Sequence, residues 1–213
     1  MEILLLAATY QEIAPFVECF GANRHIADPI NIGTHRVHLL ISGVGMTATA
    51  YALGKAFTQN NFDLALNVGI AGSFSRNIKI GQLVEVREDI LAELGAEDDE
   101  EFISLEQMGL GDVIFYGTDQ LKLDTDIRTV TGITVNTVHG NEDSILRISQ
   151  RLNPTIESME GAAFFYACQQ AKVPALQLRT ISNYVEKRNR DNWNLPLAVK
   201  NLNDWLIENL ARL

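Results

Sequence analysis

Short runs of Val, Ile and Leu, most of them bounded by Gly, Asn, Ser or Pro, set the tightest limit on how this chain can fold. They lie at Ile3 to Ala7, Val37 to Ile41, Leu64 to Val68, Leu83 to Val86, Ile133 to Thr137 and Ala175 to Ile181. Strands so apolar must be covered on both faces, which a sheet achieves when helices pack above and below it. Helical patterns fill several of the gaps. Met46 to Phe57 is Ala-rich and free of proline, and Ser144 to Leu152 begins on a capping residue and stops before Pro154. Gly161 to Ala171 is apolar all round, the mark of a buried helix. Leu195, Ala198, Val199, Leu202, Trp205, Leu206 and Leu210 form a stripe on a C-terminal helix, with Asn201, Asn203, Asp204 and Glu208 on its wet side. The fold class is therefore α/β.

Neither an internal repeat nor a Pro- or Gly/Ser-rich linker divides the 213 residues, so residues 1–213 are expected to form one domain. Acidic residues outnumber basic ones 27 to 17, a formal net charge of −10, the wrong sign for a nucleic-acid backbone or an anionic membrane surface. Cys19 and Cys168 lie far apart with no CxxC or Cys/His cluster, which suggests neither a disulfide framework nor a metal site, and points to a reduced, cytoplasmic protein. The run Ile3 to Ala8 is much shorter than the ~18 apolar residues of a membrane span and lacks the basic segment of a signal peptide. The stretch from Arg87 to Arg128 is the least legible. Its acidic run, Glu97 to Glu101, reads as a solvated loop.

In an open α/β sheet, ligands bind beyond the carboxyl ends of the strands, so the residues that follow each strand are the ones to weigh. Ala8-Thr9-Tyr10-Gln11-Glu12 follows the first strand, Ser42-Gly43-Val44-Gly45 the second, and Gly69-Ile70-Ala71-Gly72 the third. Ser158-Met159-Glu160-Gly161 precedes the buried helix, and Arg179-Thr180-Ile181-Ser182-Asn183 closes the last strand. Each alone has a plain reading as well as a functional one. Glu12 suits an ordinary first-turn helix acid. Gly43 and Gly45 suit turns, and no GxGxxG or Walker pattern surrounds them. Glu160, at the head of an apolar helix, is solvated, capping, or holding something polar in a site. Arg179, at the end of an apolar strand, fits a buried ion pair.

Taken in order along nearly the whole chain, these segments resemble the purine nucleoside phosphorylase and methylthioadenosine nucleosidase superfamily. The resemblance implies a twisted mixed central β-sheet flanked by helices on both faces, a small purine nucleoside as substrate, no metal or organic cofactor, and a homo-oligomer, with a dimer favoured. Ile181 to Trp193 is similar to the corresponding tail of the futalosine hydrolase subfamily, nucleosidases of the futalosine route to menaquinone. On this resemblance Glu12 is the general base that polarises water, Glu160 binds the ribose hydroxyls, and Met159 packs against the sugar. Arg179 stands near the nucleophile, steering water or holding a carboxylate. Gly69, Ile70, Ala71 and Gly72 line the substrate.

Departures from the pattern are informative. Methylthioadenosine nucleosidases have an aspartate where this chain has Asn183, and an amide cannot protonate adenine in its place. It can donate to a purine carbonyl and accept from a protonated ring nitrogen, which matches hypoxanthine. Ile70 replaces a frequent Ser or Thr and so removes a hydroxyl. With no phosphate-binding arginine after the first strand either, hydrolysis is expected rather than phosphorolysis. His139 falls near the base-contacting loop and reads either as a base contact or as a surface histidine. Arg188 and Arg190 suit a planar clamp for the substrate's aromatic carboxylate, with Trp193 against its ring. They suit an exposed charged segment and a helix-start aromatic equally well.

Overall fold

A computed structural model describes residues 1–21, 28–118 and 127–213. The first half runs β1 (Glu2–Ala7), α1 (Tyr10–Cys19), β2 (Ile30–Ile32), β3 (His35–Ile41), α2 (Met46–Gln59), β4 (Leu64–Ser73) and β5 (Leu83–Leu91). It continues through β6 (Gly95–Asp98), β7 (Glu101–Ser104), β8 (Ile114–Tyr116), β9 (Arg128–Thr134), α3 (Glu142–Leu152), β10 (Ile156–Ser158), α4 (Gly161–Ala171), β11 (Ala175–Tyr184) and α5 (Leu195–Asn209).

One mixed sheet gathers the strands in the order β10-β9-β5-β11-β4-β1-β3-β2, with β8 added on β5. β1, β3, β4 and β11 are parallel, whereas β5 runs antiparallel to β11. A further antiparallel pairing of β10 with the end of β4 closes β4, β11, β5, β9 and β10 into a ring. Each face of the sheet carries its own core. On one, Leu53 of α2 and Phe164, Phe165 and Cys168 of α4 pack on Leu6, Val84 and Ile181. On the other, Ile13, Phe16 and Val17 of α1 and Leu202 and Leu206 of α5 cover Leu5, Leu66 and Leu178. The expected α/β sheet with helices on both faces is what the chain forms. No helix among the described residues is long and apolar enough to cross a membrane.

Several local expectations change. The fifth apolar run forms its strand earlier, at Arg128–Thr134, because Thr129, Val130 and Thr131 complete the ladder with β5. The cap of α3 is Asn141, whose side chain accepts from the N–H groups of Asp143 and Ser144, so Ser144 lies within the first turn. The acids Glu97 to Glu101 are exposed, as a solvated run should be, yet they belong to the β6–β7 hairpin. Arg151 of α3 stacks over Phe102 of that hairpin at 3.8 Å. Residues 119–126 of the poorly legible stretch lie outside the described residues. Asn203 is not on a wet face. It is 1% exposed, wedged between α5 and α1.

Candidate active site

The strands that carry the motifs run on into them. β4 extends through Gly69, Ile70, Ala71 and Gly72, paired throughout with β11, so these are strand residues rather than a loop beyond the strand. β11 extends through Arg179 to Tyr184, with an irregularity between Ile181 and Asn183 that re-aims its last side chains. The ends of β1, β4, β10 and β11 and the head of α4 surround a cavity of about 420 Å³. Glu12, Ile70, Ala71, Gly72, His139, Met159, Glu160, Asn183 and Trp193 all line it.

Glu12 is held from three directions. Its Oε2 accepts from Thr9 N–H at 2.9 Å and Thr9 Oγ1 at 3.1 Å, the capping box of α1, while its Oε1 accepts from Ile70 N–H at 3.2 Å. Residue 70 thus supplies its backbone amide where the family pattern led one to expect a hydroxyl. Burial pushes the Glu12 carboxyl above its ordinary value against the nearby Arg179 guanidinium, which pulls it down, and the charge of Glu160 raises it further. Glu160, 5% exposed at the head of α4, accepts from Gly45 N–H at 3.0 Å through Oε1, and its Oε2 lies 3.8 Å from Arg179 Nη2.

Arg179 is wholly buried behind the two carboxylates and is absent from the cavity wall. Gly69 lies opposite it in the ladder and is likewise beneath the wall. A Cβ at Gly69 would overlap Arg179 Nη1 and come within 2.7 Å of Glu12 Oε1, so the missing side chain leaves room for guanidinium and carboxylate to lie close together over β4. A polar chain continues beneath Arg179. Arg179 Nε donates to Gln177 Oε1 at 3.1 Å, Gln177 Nε2 donates to Asp89 Oδ2 at 2.9 Å, and Thr134 Oγ1 donates to Asp89 Oδ1 at 2.8 Å. Thr134 Oγ1 in turn accepts from Ala162 N–H at 2.7 Å, just past Glu160. A Cβ at Gly161 would overlap Asp89, so glycine there lets the α4 head seat on this chain.

Also on the cavity wall, Asn183 Oδ1 accepts from Ser182 Oγ at 2.8 Å and its Nδ2 donates to Tyr184 C=O at 3.0 Å, leaving one lone pair and one N–H uncommitted. His139 is a wall residue rather than a surface one, and its Nδ1 lies 2.6 Å from Glu157 Oε2. Glu157, itself on the wall and 3% exposed, was missed in the sequence because Ile156–Ser158 is too short and polar to read as a strand. Arg188 and Arg190 are exposed and lie outside the wall. Their guanidinium carbons stand 5.2 and 6.0 Å from the Trp193 ring centre, so they gather on the one member of that trio that lines the cavity.

Two buried carboxylates, Glu12 and Glu160, share the wall of one cavity at the carboxyl ends of the strands, and the chain belongs to the phosphorylase superfamily, whose profile matches residues 2–213. Among curated relatives it is 29% identical over 211 residues to the futalosine hydrolase of Thermus thermophilus, covering 93% of this chain and 91% of that protein. It is 31% identical over 193 residues to the futalosine hydrolase of Acidothermus cellulolyticus, covering 85% and 79%. The fold is shared with the S-adenosylhomocysteine nucleosidase of Streptococcus pyogenes, solved with 5-methylthiotubericidin (TM-score 0.84, 20% identity, 100% of this chain and 97% of that one). A futalosine hydrolase mutant of Helicobacter pylori also shares it (TM-score 0.80, 16% identity, 100% of both chains).

Proposed function

We propose that the chain is an N-glycosyl hydrolase that cleaves the N-ribosidic bond of futalosine, releasing hypoxanthine and dehypoxanthine futalosine in menaquinone biosynthesis. The observation that carries this reading is the convergence of Glu12 and Glu160 on one cavity whose wall also presents the uncharged amide of Asn183. Cleavage passes through a cationic, oxocarbenium-like sugar, so the water, the sugar and the departing base each need help. Glu12 takes the proton of the attacking water. Glu160 holds the ribose hydroxyls and places negative charge beside the developing cation, with Met159 against the sugar. Arg179 acts from behind by keeping both carboxylates in place. Asn183 donates its free N–H to the purine carbonyl and accepts from the protonated ring nitrogen. Adenine's amino group would face that N–H unpaired, at a cost of about 1–3 kcal/mol.

The catalytic unit is the whole chain, residues 1–213, acting as one domain in the cytoplasm as a homo-oligomer, a dimer by preference, with neither metal nor organic cofactor. The aromatic carboxylate of the substrate extends past Trp193 to Arg188 and Arg190. The test is hypoxanthine release from futalosine, methylthioinosine and inosine, each with and without phosphate. Phosphate-independent release with futalosine as the preferred substrate is expected. Phosphate dependence would make the enzyme a phosphorylase, and tight binding without release a silent nucleoside binder. In the same assay Arg188→Ala and Arg190→Ala should weaken futalosine far more than inosine. Equal losses on both would remove the clamp.

A further inference from the structure

Asn183 leaves one step without a donor. When the bond between C1′ and the purine breaks, the base departs with the electron pair and needs a proton, which an amide cannot supply. We propose that His139, backed by Glu157, is the general acid that gives the leaving purine this proton. The inference rests on the nucleosidase reading above and assigns a second catalytic group within it.

The geometry is that of an aimed imidazole. Glu157 grips His139 twice, its Oε1 accepting from the backbone N–H at 3.0 Å and its Oε2 lying 2.6 Å from Nδ1. Phe74 packs edge-on to the ring, centroids 6.3 Å apart. With Nδ1 committed to a buried carboxylate, Nε2 is the nitrogen left to address the cavity that both residues line. The pair also stands beside Asn183, the residue assigned above to the purine. A Cβ built on Gly72 would come within 3.3 Å of Asn183 Nδ2 and 3.5 Å of Glu157 Cγ, so the two side chains flank the same position of β4. Among the described residues, Glu157 on β10 bonds the imidazole, and Arg188, beyond β11, is tied to the neighbouring Gly140. The N–H of Arg188 donates to Gly140 C=O at 3.1 Å, while its guanidinium turns to Trp193.

The step balances. The C1′–N bond breaks and its electron pair passes to the purine, while the Nε2 proton of the imidazolium moves to a ring nitrogen of the departing base. Water forms the new C1′–O bond and loses a proton to the Glu12 carboxylate. His139 ends neutral and Glu12 protonated, and exchange with solvent resets both once products leave.

The experiment compares two substrates that differ in whether the leaving group needs a proton: futalosine, and p-nitrophenyl β-ribofuranoside, whose phenolate departs unaided. In the wild type, kcat/KM for futalosine should fall at both acid and alkaline pH, whereas the phenolate substrate should show the acid limb alone. His139→Asn keeps an amide donor for Glu157 but no transferable proton. It should lose about 10²- to 10³-fold in kcat on futalosine and stay within about threefold on the p-nitrophenyl riboside. Equal losses on both substrates by a variant that melts like the wild type would overturn the proposal. So would an alkaline limb shared by both substrates in the wild type, a measurement that stands even if the variant does not fold. A wild type that cleaves neither substrate would instead bring down the nucleosidase reading.

Discussion

Glu12 is asked to be two things at once: the capping-box acid of α1 and the base of the reaction. Three hydrogen bonds fix its direction, burial raises its proton affinity, and Arg179 holds that rise in check. A base must be ionised to work, so as pH falls through the raised Glu12 value the activity goes with it. The acid limb of kcat/KM should therefore lie above the ordinary glutamate value of about 4.3. Glu12→Gln, which keeps the shape but cannot accept the water's proton, should cost about 10²- to 10⁴-fold in kcat. A variant that retains most of its turnover would remove Glu12 from the chemistry.

At the scale of elements, α1 is held in register by a side chain from the far end of the sequence. Pro15 sits inside α1 and has no N–H to give the ladder. One residue on, Asn203 of α5 bridges the turn that carries the carboxylate, its Oδ1 accepting from Phe16 N–H at 2.9 Å and its Nδ2 donating to Glu12 C=O at 2.8 Å. Leu195 and Val199 of the same helix line the cavity, so α5 touches the substrate space directly and the base through its backbone. Asn203→Ala strands two buried backbone groups, each worth about 1–3 kcal/mol. Chemical denaturation should show a loss of about 2–4 kcal/mol, and activity should fall with KM little changed. A variant as stable as the parent would mean that α1 closes its own ladder without α5.

For the whole molecule, the cost of the site is written into the sheet. Asp89, 1% exposed, is pushed up to about 6 from 3.8 by burial, against the hydrogen bonds of Gln177 and Thr134 and the charge of Arg179. The folded state therefore binds this proton more tightly than the unfolded chain does. The group's contribution is greatest below pH 3.8 and declines as pH rises to about 6. At about 1.36 kcal/mol per pH unit the decline amounts to roughly 3 kcal/mol. Asp89→Asn cannot titrate, so unfolding free energies of wild type and variant should draw apart or together by about that much across the window. Curves that stay parallel would show that Asp89 is ionised in both states.

Much of this molecule is legible along the chain because local patterns decide it. The apolar run of α4 begins and ends where its composition says, at Gly161 and Ala171, and the strand cores at Leu64 and Ala175 announce themselves by side-chain type alone. Glu12 and Glu160 could be singled out because one follows a strand and the other heads a helix, where ligands reach an α/β sheet, and Asn183 because it departs from the pattern of the superfamily the chain resembles. What folding alone decided are relations between residues distant in sequence. Arg179 and Glu12 come close only where Gly69 lacks a side chain, Glu157 meets His139 only because β10 pairs with β9 and β4, and Asn203 turns inward to a backbone it must satisfy. A polar letter does not say whether water or another buried group will be its partner, and that choice depends on which surfaces the sheet brings face to face.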